Sequence, residues 1–230
     1  MLFRSSFGLE TVLWFANNPK DAYEEPTIKR SRSHDYVSKE VKNVRENVGV
    51  IEIANFSKHD FQGPAARKFL DYVLAGRIPK PGRICLNPML TTKGKLYGDL
   101  TVACLNDNKF IVFGSGVVQE MHRRWFESHL KNFNVIYKNR SDDFHGLALS
   151  GPKSRDLLQK IVRENISNEN FKFRDVRKMY VAGVPALVNR ISFTGELGYE
   201  VYVAPHFQLK LYEEMEATGK EFNLKPFGSR

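Results

Sequence analysis

Two carboxylates stand alone inside segments that otherwise have the pattern of β-strands. The first is Asp99, which lies between Gly98 and Leu100 in the stretch GKLYGDLTVA. Aspartate is depleted in strands, and a buried carboxylate needs a partner or a function. The pattern therefore indicates either a functional acid or a solvent-facing strand residue, and it leaves both interpretations open.

The second carboxylate is Glu200, in the segment GYEVYV that follows the turn-forming residues 194–198. A carboxylate in this place can accept two parallel N–H hydrogen bonds from a flat heterocycle, as carboxylates do with guanidinium groups. A salt bridge on the surface is the alternative. A third segment, VRENVGVIEIANFSKHDFQGP at 44–64, indicates by itself only a helix, a strand and a turn.

Other common site chemistries have no signature in this sequence. The two cysteines, Cys85 and Cys104, and the six scattered histidines form no paired zinc-ligand motif. We interpret the cysteines as buried thiols of a reducing compartment. No Gly-x-Gly-x-x-Gly, Walker or Gly-x-Ser-x-Gly motif occurs. The sequence therefore predicts no metal site and no Rossmann-type binding of FAD or NAD within these residues.

The composition indicates a folded chain with a dispersed basic charge. Its 230 residues are 42% hydrophobic and include 17 phenylalanines, which is enough to fill a core. The net charge of +9 comes from scattered residues without a polybasic block, so we expect no nucleic-acid partner. With no bilayer-length apolar run and no signal-peptide block, we expect no membrane partner. The predicted location is cytoplasmic, or the mitochondrial matrix if the source is eukaryotic.

The apolar spacing predicts the elements that must position the two acids. Residues 1–35 show little periodicity and are interpreted as a lead-in. The pattern then predicts helices beginning at Tyr36, after Gly63-Pro64, after Gly114-Ser115-Gly116, over 153–162 and over 207–215, and strands over 48–54, 95–105, 110–113, 144–149, 181–191 and 199–203.

One internal echo bears on the fold class. The stretch FQGPAARKFLDYVL at 61–74 is similar to LSGPKSRDLLQKIV at 149–162. Each reads as the end of a strand, then Gly-Pro, then a helix. Two related strand–helix units predict an α+β architecture with antiparallel sheets. A chance match of a common turn is the other interpretation.

Taken together, these segments resemble one protein family. YGDLTVA, LSGPKSRDLL and SFTGELGYEVYV, in that order, are similar to the folate-binding domain of glycine-cleavage T-proteins and of dimethylglycine and sarcosine dehydrogenases. The sequence of residues 44–64 resembles the dehydrogenases more than the T-proteins. The resemblance covers about residues 36–230, and 7–16 resembles the join below an FAD domain. It implies a lead-in at 1–35, a first half at 36–145 and a truncated second half at 146–230, with a C-terminal β-domain missing.

The resemblance also implies roles for individual residues. Asp99 matches a central acid near the reacting pterin nitrogens, and Glu200 matches the acid that holds the pterin edge. The other positions that it implies for cofactor binding are Leu86, Thr101, Ser115, Val118, Phe193, Tyr199 and Arg230. Phe193 and Leu86 stand where relatives often carry tyrosine, which implies a loss of hydroxyl contacts. Arg230 matches a position near the folate tail.

The implied function is one-carbon transfer to tetrahydrofolate. An FAD domain in cis, absent from these residues, would oxidise an N-methyl amine. This module would then capture the resulting iminium or formaldehyde as methylenetetrahydrofolate. We expect the 230 residues alone to oxidise no amine. A stand-alone aminomethyltransferase or folate-dependent demethylase, and a folate-binding module without turnover, remain alternatives.

Overall fold

The computed structural model describes residues 2–6, 9–21, 23, 24 and 27–229. The strands are β1 Leu2–Ser6, β2 Leu9–Trp14, β3 Val48–Glu52, β4 Ser57–Gln62, β5 Arg83–Leu90, β6 Leu96–Asn106, β7 Lys109–Gly114, β8 Ile136–Asn139, β9 His145–Ser150, β10 Val176–Val181, β11 Val184–Asn189, β12 Gly198–Val203 and β13 Leu224–Pro226. The α-helices are α1 His34–Glu46, α2 Ala66–Val73, α3 Gln119–His129, α4 Ser154–Ile161 and α5 Gln208–Gly219. Short 3-10 helices cover Pro19–Asp21, Gly116–Val118, Leu130–Asn132, Pro205–Phe207 and Lys220–Phe222.

The first large sheet has the order β5-β6-β7-β4-β8 and is antiparallel throughout. Helices α2 and α3 cover one of its faces. Apolar residues of α2 recur three and four positions apart, which places them on one side of the helix. Phe69 and Leu70 of α2 and Phe126 of α3 are therefore buried against Leu100 and Val102 of β6.

The second large sheet has the order β10-β11-β12-β9-β3-β13. Its pairs are antiparallel except for β13, which lies parallel to β3 at the edge. Leu157 and Leu158 of α4 pack with Leu211 and Met215 of α5 on one face of this sheet. The prediction of an α+β fold with antiparallel sheets is confirmed.

The remaining faces of the two sheets pack against each other. Ile84, Ala103 and Phe113 of the first sheet meet Leu187 and Tyr202 of the second in a shared core. The molecule therefore has four layers in the order helix, sheet, sheet, helix. No helix among the described residues is long and apolar enough to cross a membrane.

The two strand–helix units predicted from the internal echo are present. β4 leads into α2 in the first sheet, and β9 leads into α4 in the second. The glycine between strand and helix has a positive φ in both, 137° at Gly63 and 128° at Gly151. A Cβ on Gly63 would lie 2.6 Å from the oxygen of Asn134, and one on Gly151 would lie 2.5 Å from the oxygen of Asn47. Both turns require glycine, because a side chain there would be strained by the positive φ and would collide with a backbone oxygen.

The structure adds elements to the sequence analysis and changes the bounds of one predicted strand. Residues 1–35 contain the hairpin β1–β2, to which the sequence analysis assigned no strand, and the ring of Trp14 lies 5.1 Å from that of Tyr36 in α1. The strand predicted over 181–191 is β11 with the turn before it, because Ala182 and Gly183 have φ of 53° and 76° and reverse the chain after β10. Strands β5, β8 and β13 were not predicted.

Candidate functional site

The core between the two sheets ends along a line that crosses β5 and β6. On β5, Ile84 is fully buried, whereas Leu86, two residues later on the same face, is 73% exposed. On β6, Ala103 is buried, Thr101 is half-buried and Asp99 is exposed. Because alternate side chains of a strand share a face, all five side chains point toward the second sheet. Asp99 therefore lies on the part of the first sheet that the second sheet leaves exposed.

Strand β12 carries the second acid on the core-facing side of the other sheet. Tyr202 belongs to the shared core, and Glu200, two residues earlier on the same face, is half-buried. The ring of Tyr202 stacks on that of Phe113, with centroids 4.8 Å apart. Phe113 is in turn the register partner of Thr101. We call the region formed by Leu86, Asp99, Thr101 and Glu200 the inter-sheet edge.

The carboxylate of Glu200 is held from its own sheet. The Tyr202 hydroxyl donates to Oε2 of Glu200 over 3.0 Å, and Nδ2 of Asn189 donates to the same oxygen over 3.3 Å. Asn189 faces Glu200 directly in the β11–β12 register. Burial raises the pKa of Glu200, and the two hydrogen bonds oppose that shift because they stabilise the ionised form.

Tyr202 is anchored by residues of the first sheet. Besides stacking on Phe113, its ring has the Nζ atom of Lys58 5.9 Å from its centroid. Lys58 is buried, and its ammonium donates to the carbonyl oxygen of Ala54 over 2.5 Å. Burial lowers the pKa of Lys58 to about 8, and the charge of Glu52 opposes this shift. Glu200 is thus connected to both sheets through one tyrosine.

The turn after β7 lies beside β6. Ser115 is exposed and Val118 is half-buried. A Cβ on Gly114 would lie 2.8 Å from Cδ2 of Leu100, the residue after Asp99. The turn that carries Ser115 therefore begins beside the strand that carries Asp99.

Of the other predicted site residues, one faces away from this group, one is exposed in a loop and one is not described. Tyr199 is fully buried on the opposite face of β12, where its hydroxyl accepts a hydrogen bond from Nε of Arg155 over 3.1 Å. Its side chain belongs to the core under α4 and is not exposed to a ligand at the inter-sheet edge. Phe193 is 95% exposed in the loop between β11 and β12. Arg230 lies outside the described residues.

The structure adds residues that the sequence analysis did not identify. Asn189, Tyr202, Phe113 and Lys58 surround Glu200 or support it, yet the sequence analysis gave none of them a role. The available signal was an asparagine at the end of the apolar segment VPALVN and a tyrosine two residues after Glu200. Neither signal specifies a contact, because the pairing of β11 with β12 is not visible in the residue pattern.

Chemically, the inter-sheet edge combines an exposed acid with a partly desolvated one. Both hydrogen bonds that Glu200 accepts from described residues end on Oε2, so Oε1 is available to a donor. Asp99 is open to solvent and can exchange protons. Among the described residues, no group of three or more His, Cys, Asp or Glu side chains is arranged to hold a metal ion.

The family comparison matches this chain over residues 2–230 to the GCVT N-terminal domain. The chain belongs to this family. It is 34% identical over 226 residues to the mitochondrial dimethylglycine dehydrogenase of Mus musculus, covering 96% of this chain and 26% of that protein. It is 28% identical over 191 residues to an aminomethyltransferase of Natranaerobius thermophilus, covering 82% of this chain and 52% of the relative.

Solved structures share the fold. The glycine cleavage system aminomethyltransferase T from Bartonella henselae aligns with a TM-score of 0.73 at 20% identity, covering 84% of this chain and 51% of that one. A chain of the heterotetrameric sarcosine oxidase from Corynebacterium sp. U-96 aligns with a TM-score of 0.63 at 15% identity, covering 85% of this chain and 97% of that one. The chain thus spans about a quarter of the dehydrogenase and about half of the aminomethyltransferase.

Proposed function

We propose that this chain is the tetrahydrofolate-binding, one-carbon-transfer module of a dimethylglycine or sarcosine dehydrogenase. The observation that carries the proposal is that Asp99 and Glu200 stand on the core-facing sides of two different sheets, on the same strand faces as Ala103 and Tyr202 of the shared core. The 34% identity to dimethylglycine dehydrogenase over 96% of the chain supports the dehydrogenase branch.

The residues at the inter-sheet edge fit tetrahydrofolate. The pterin ring presents N–H donors along a flat edge, and Oε1 of Glu200 is available to accept one of them, whereas Oε2 already accepts from Tyr202 and Asn189. Leu86 offers an exposed apolar side chain beside Thr101, which suits an aromatic ring. The surplus of basic residues suits a ligand with an acidic tail.

When bound, tetrahydrofolate would supply the nitrogen nucleophile that accepts the one-carbon unit. Glu200 would help to fix the orientation of the ring by accepting a hydrogen bond from its donor edge through Oε1. Asp99 would stabilise positive charge at the reacting nitrogens and exchange a proton with solvent. Acid–base assistance of this kind contributes about 10²–10⁴-fold to a rate.

The test is a product assay on the protein encoded by the full reading frame that contains this chain. With dimethylglycine or sarcosine and tetrahydrofolate, we expect methylenetetrahydrofolate as a product. In the Asp99→Asn variant, we expect its yield to fall by about 10²-fold or more while tetrahydrofolate still binds. The side chain keeps its shape but loses its charge and its basic oxygen.

Two results would contradict parts of the proposal. Equal product yield from Asp99→Asn and the parent protein would remove Asp99 from the mechanism. A reading frame with no flavin-binding domain, together with transfer from an aminomethyl donor, would favour the stand-alone aminomethyltransferase. Tetrahydrofolate binding without transfer of any one-carbon unit would favour a module without turnover.

A further inference from the structure

Oxygen Oε2 of Glu200 is occupied by two neutral donors from the same sheet. Tyr202 lies two residues away on β12, and Asn189 lies opposite on β11. The remaining register partner of Glu200 is Ala148 of β9, which has no polar side chain. Only Oε1 is therefore left for a ligand.

Tyr202 is suited to act as a permanent donor. Burial and the neighbouring carboxylate both raise the pKa of Tyr202 well above its ordinary value, so its hydroxyl keeps its proton. Its ring is fixed by Phe113, whose centroid is 4.8 Å away. Packing between the two sheets thus orients the Tyr202 hydroxyl toward Glu200, to which it donates its hydrogen bond.

Asn189 is an unfavourable residue for stability alone. Its side chain is fully buried and its Oδ1 has no hydrogen-bond partner among the described residues. A buried amide oxygen without a partner is destabilising, and an apolar residue of similar shape avoids that cost. The hydrogen bond from its Nδ2 to Glu200 is the one polar contact of the Asn189 side chain that the described residues provide.

We propose that Tyr202 and Asn189 are positioning residues that keep Glu200 ionised and leave its Oε1 toward the pterin edge. This inference rests on the proposed function for the identity of the ligand. Among the described residues, the charged group that contacts the cluster is the ammonium of Lys58 from β4, which lies over the ring of Tyr202 and has Glu52 and Asp142 near it. Asp99 stands exposed on the core-facing side of β6.

A positioning role and a packing role predict different results. Without one of its two donors, the ionised form of Glu200 loses support and the pKa of Glu200 rises further. Binding to the carboxylate would then be lost at a higher pH than in the parent chain. A mere packing defect would weaken binding by the same factor at every pH and would lower the melting temperature.

The experiment measures the pKa of Glu200 in the ligand-free 230-residue chain by NMR of ¹³C-labelled glutamate, with Glu200→Gln to assign the signal. Tyr202→Phe retains the ring and removes only the hydroxyl, and Asn189→Leu removes the amide. We expect both variants to raise the pKa of Glu200, and Asn189→Leu to do so without lowering the melting temperature. Tyr180→Phe, an exposed tyrosine on β10, is the matched control and should change neither.

Calorimetric titration with tetrahydrofolate across pH is the second readout. We expect about 10-fold weaker binding of Tyr202→Phe at neutral pH, and part of that loss recovered at higher pH. An unchanged pKa of Glu200 in both variants would overturn the inference. A raised pKa in a chain that binds no tetrahydrofolate would support the positioning role and contradict the proposed function instead.

Discussion

At the scale of single residues, Glu200 and Asp99 differ in their exposure to solvent. Glu200 is half-buried with a raised pKa and two donors on one oxygen, whereas Asp99 is exposed. A desolvated carboxylate binds donors more strongly, because hydrogen bonds strengthen where the local dielectric constant is low. An exposed one exchanges protons readily. The proposed division between binding at Glu200 and proton transfer at Asp99 follows from these surroundings.

The exposed Leu86 provides a test of the ligand surface at the inter-sheet edge. We expect Leu86→Tyr to bind tetrahydrofolate about 2–10-fold more tightly, because a phenol keeps the apolar contact and adds a hydrogen-bonding group. Leu209→Tyr, at another exposed leucine on α5, is the control and should not change the affinity. An unchanged affinity of Leu86→Tyr, measured by calorimetry, would mean that this side chain does not face the ligand.

Sequence reasoning identified the two acids but not their partners. Asp99 and Glu200 stand out because a carboxylate in an apolar strand is unusual. Asn189 and Tyr202 become partners of Glu200 only through the register of β11 against β12. Register depends on the turn between the two strands and on the core that they share, neither of which residue types reveal.

At the scale of elements, strand β4 shows where residue patterns mislead. Its sequence SKHDFQ is largely polar, yet its first five residues are buried. Its buried polar side chains have partners in the fold, although Oδ1 of Asp60 has none among the described residues. The ring of His59 hydrogen-bonds with the hydroxyl of Tyr137 over 2.8 Å and with that of Ser57 over 3.1 Å. By contrast, β6 and β12 are rich in apolar residues, and the sequence predicted both within a few residues.

The burial of His59 makes the stability of the chain depend on pH. Burial, together with the nearby ring of His122, lowers the pKa of His59 from 6.5 to about 4. The unfolded chain therefore binds more protons than the folded one between these values. The contribution of His59 to stability is fully present above pH 6.5 and is lost as the pH falls toward 4.

We expect the free energy of unfolding to be lower at pH 5 than at pH 8, with about 2 kcal/mol of that difference due to His59. His59→Gln should remove this part, because glutamine does not titrate. His206→Gln, at an exposed histidine before α5, should leave the difference unchanged. Urea denaturation at the two pH values measures it, and an equal pH dependence of His59→Gln and the parent chain would contradict the assignment.

At the scale of the whole molecule, the two sheets are joined near the inter-sheet edge by a short backbone link. The amide of Ile84 donates to the oxygen of Arg174, and that of Val176 donates to the oxygen of Gly82, both over 2.9 Å. The internal echo predicted two similar units. It did not predict how their sheets meet, because that arrangement comes from packing between residues distant in sequence.

The buried side chain of Asp175 supports this link. Asp175 pairs with Arg83 of β5 and accepts a hydrogen bond from the amide of Lys172 over 2.8 Å. We expect Asp175→Ala to lower the free energy of unfolding by about 2 kcal/mol, since it removes the carboxylate that pairs with Arg83 and Arg177. Glu221→Ala, which breaks an exposed pair with Lys160, should cost less than about 1 kcal/mol. Urea denaturation that gave equal losses would show that the link does not stabilise the fold.

Calorimetric titration of the 230-residue chain with tetrahydrofolate, kept reduced by excess thiol, measures binding at the inter-sheet edge directly. We expect saturable binding by the parent chain and about 10–100-fold weaker binding by Glu200→Ala, because a hydrogen-bonded charged group is lost. Glu216→Ala, at an exposed position of α5, should bind like the parent chain. Equal affinity of Glu200→Ala and the parent chain would contradict the assignment of Glu200 as the residue that holds the pterin edge.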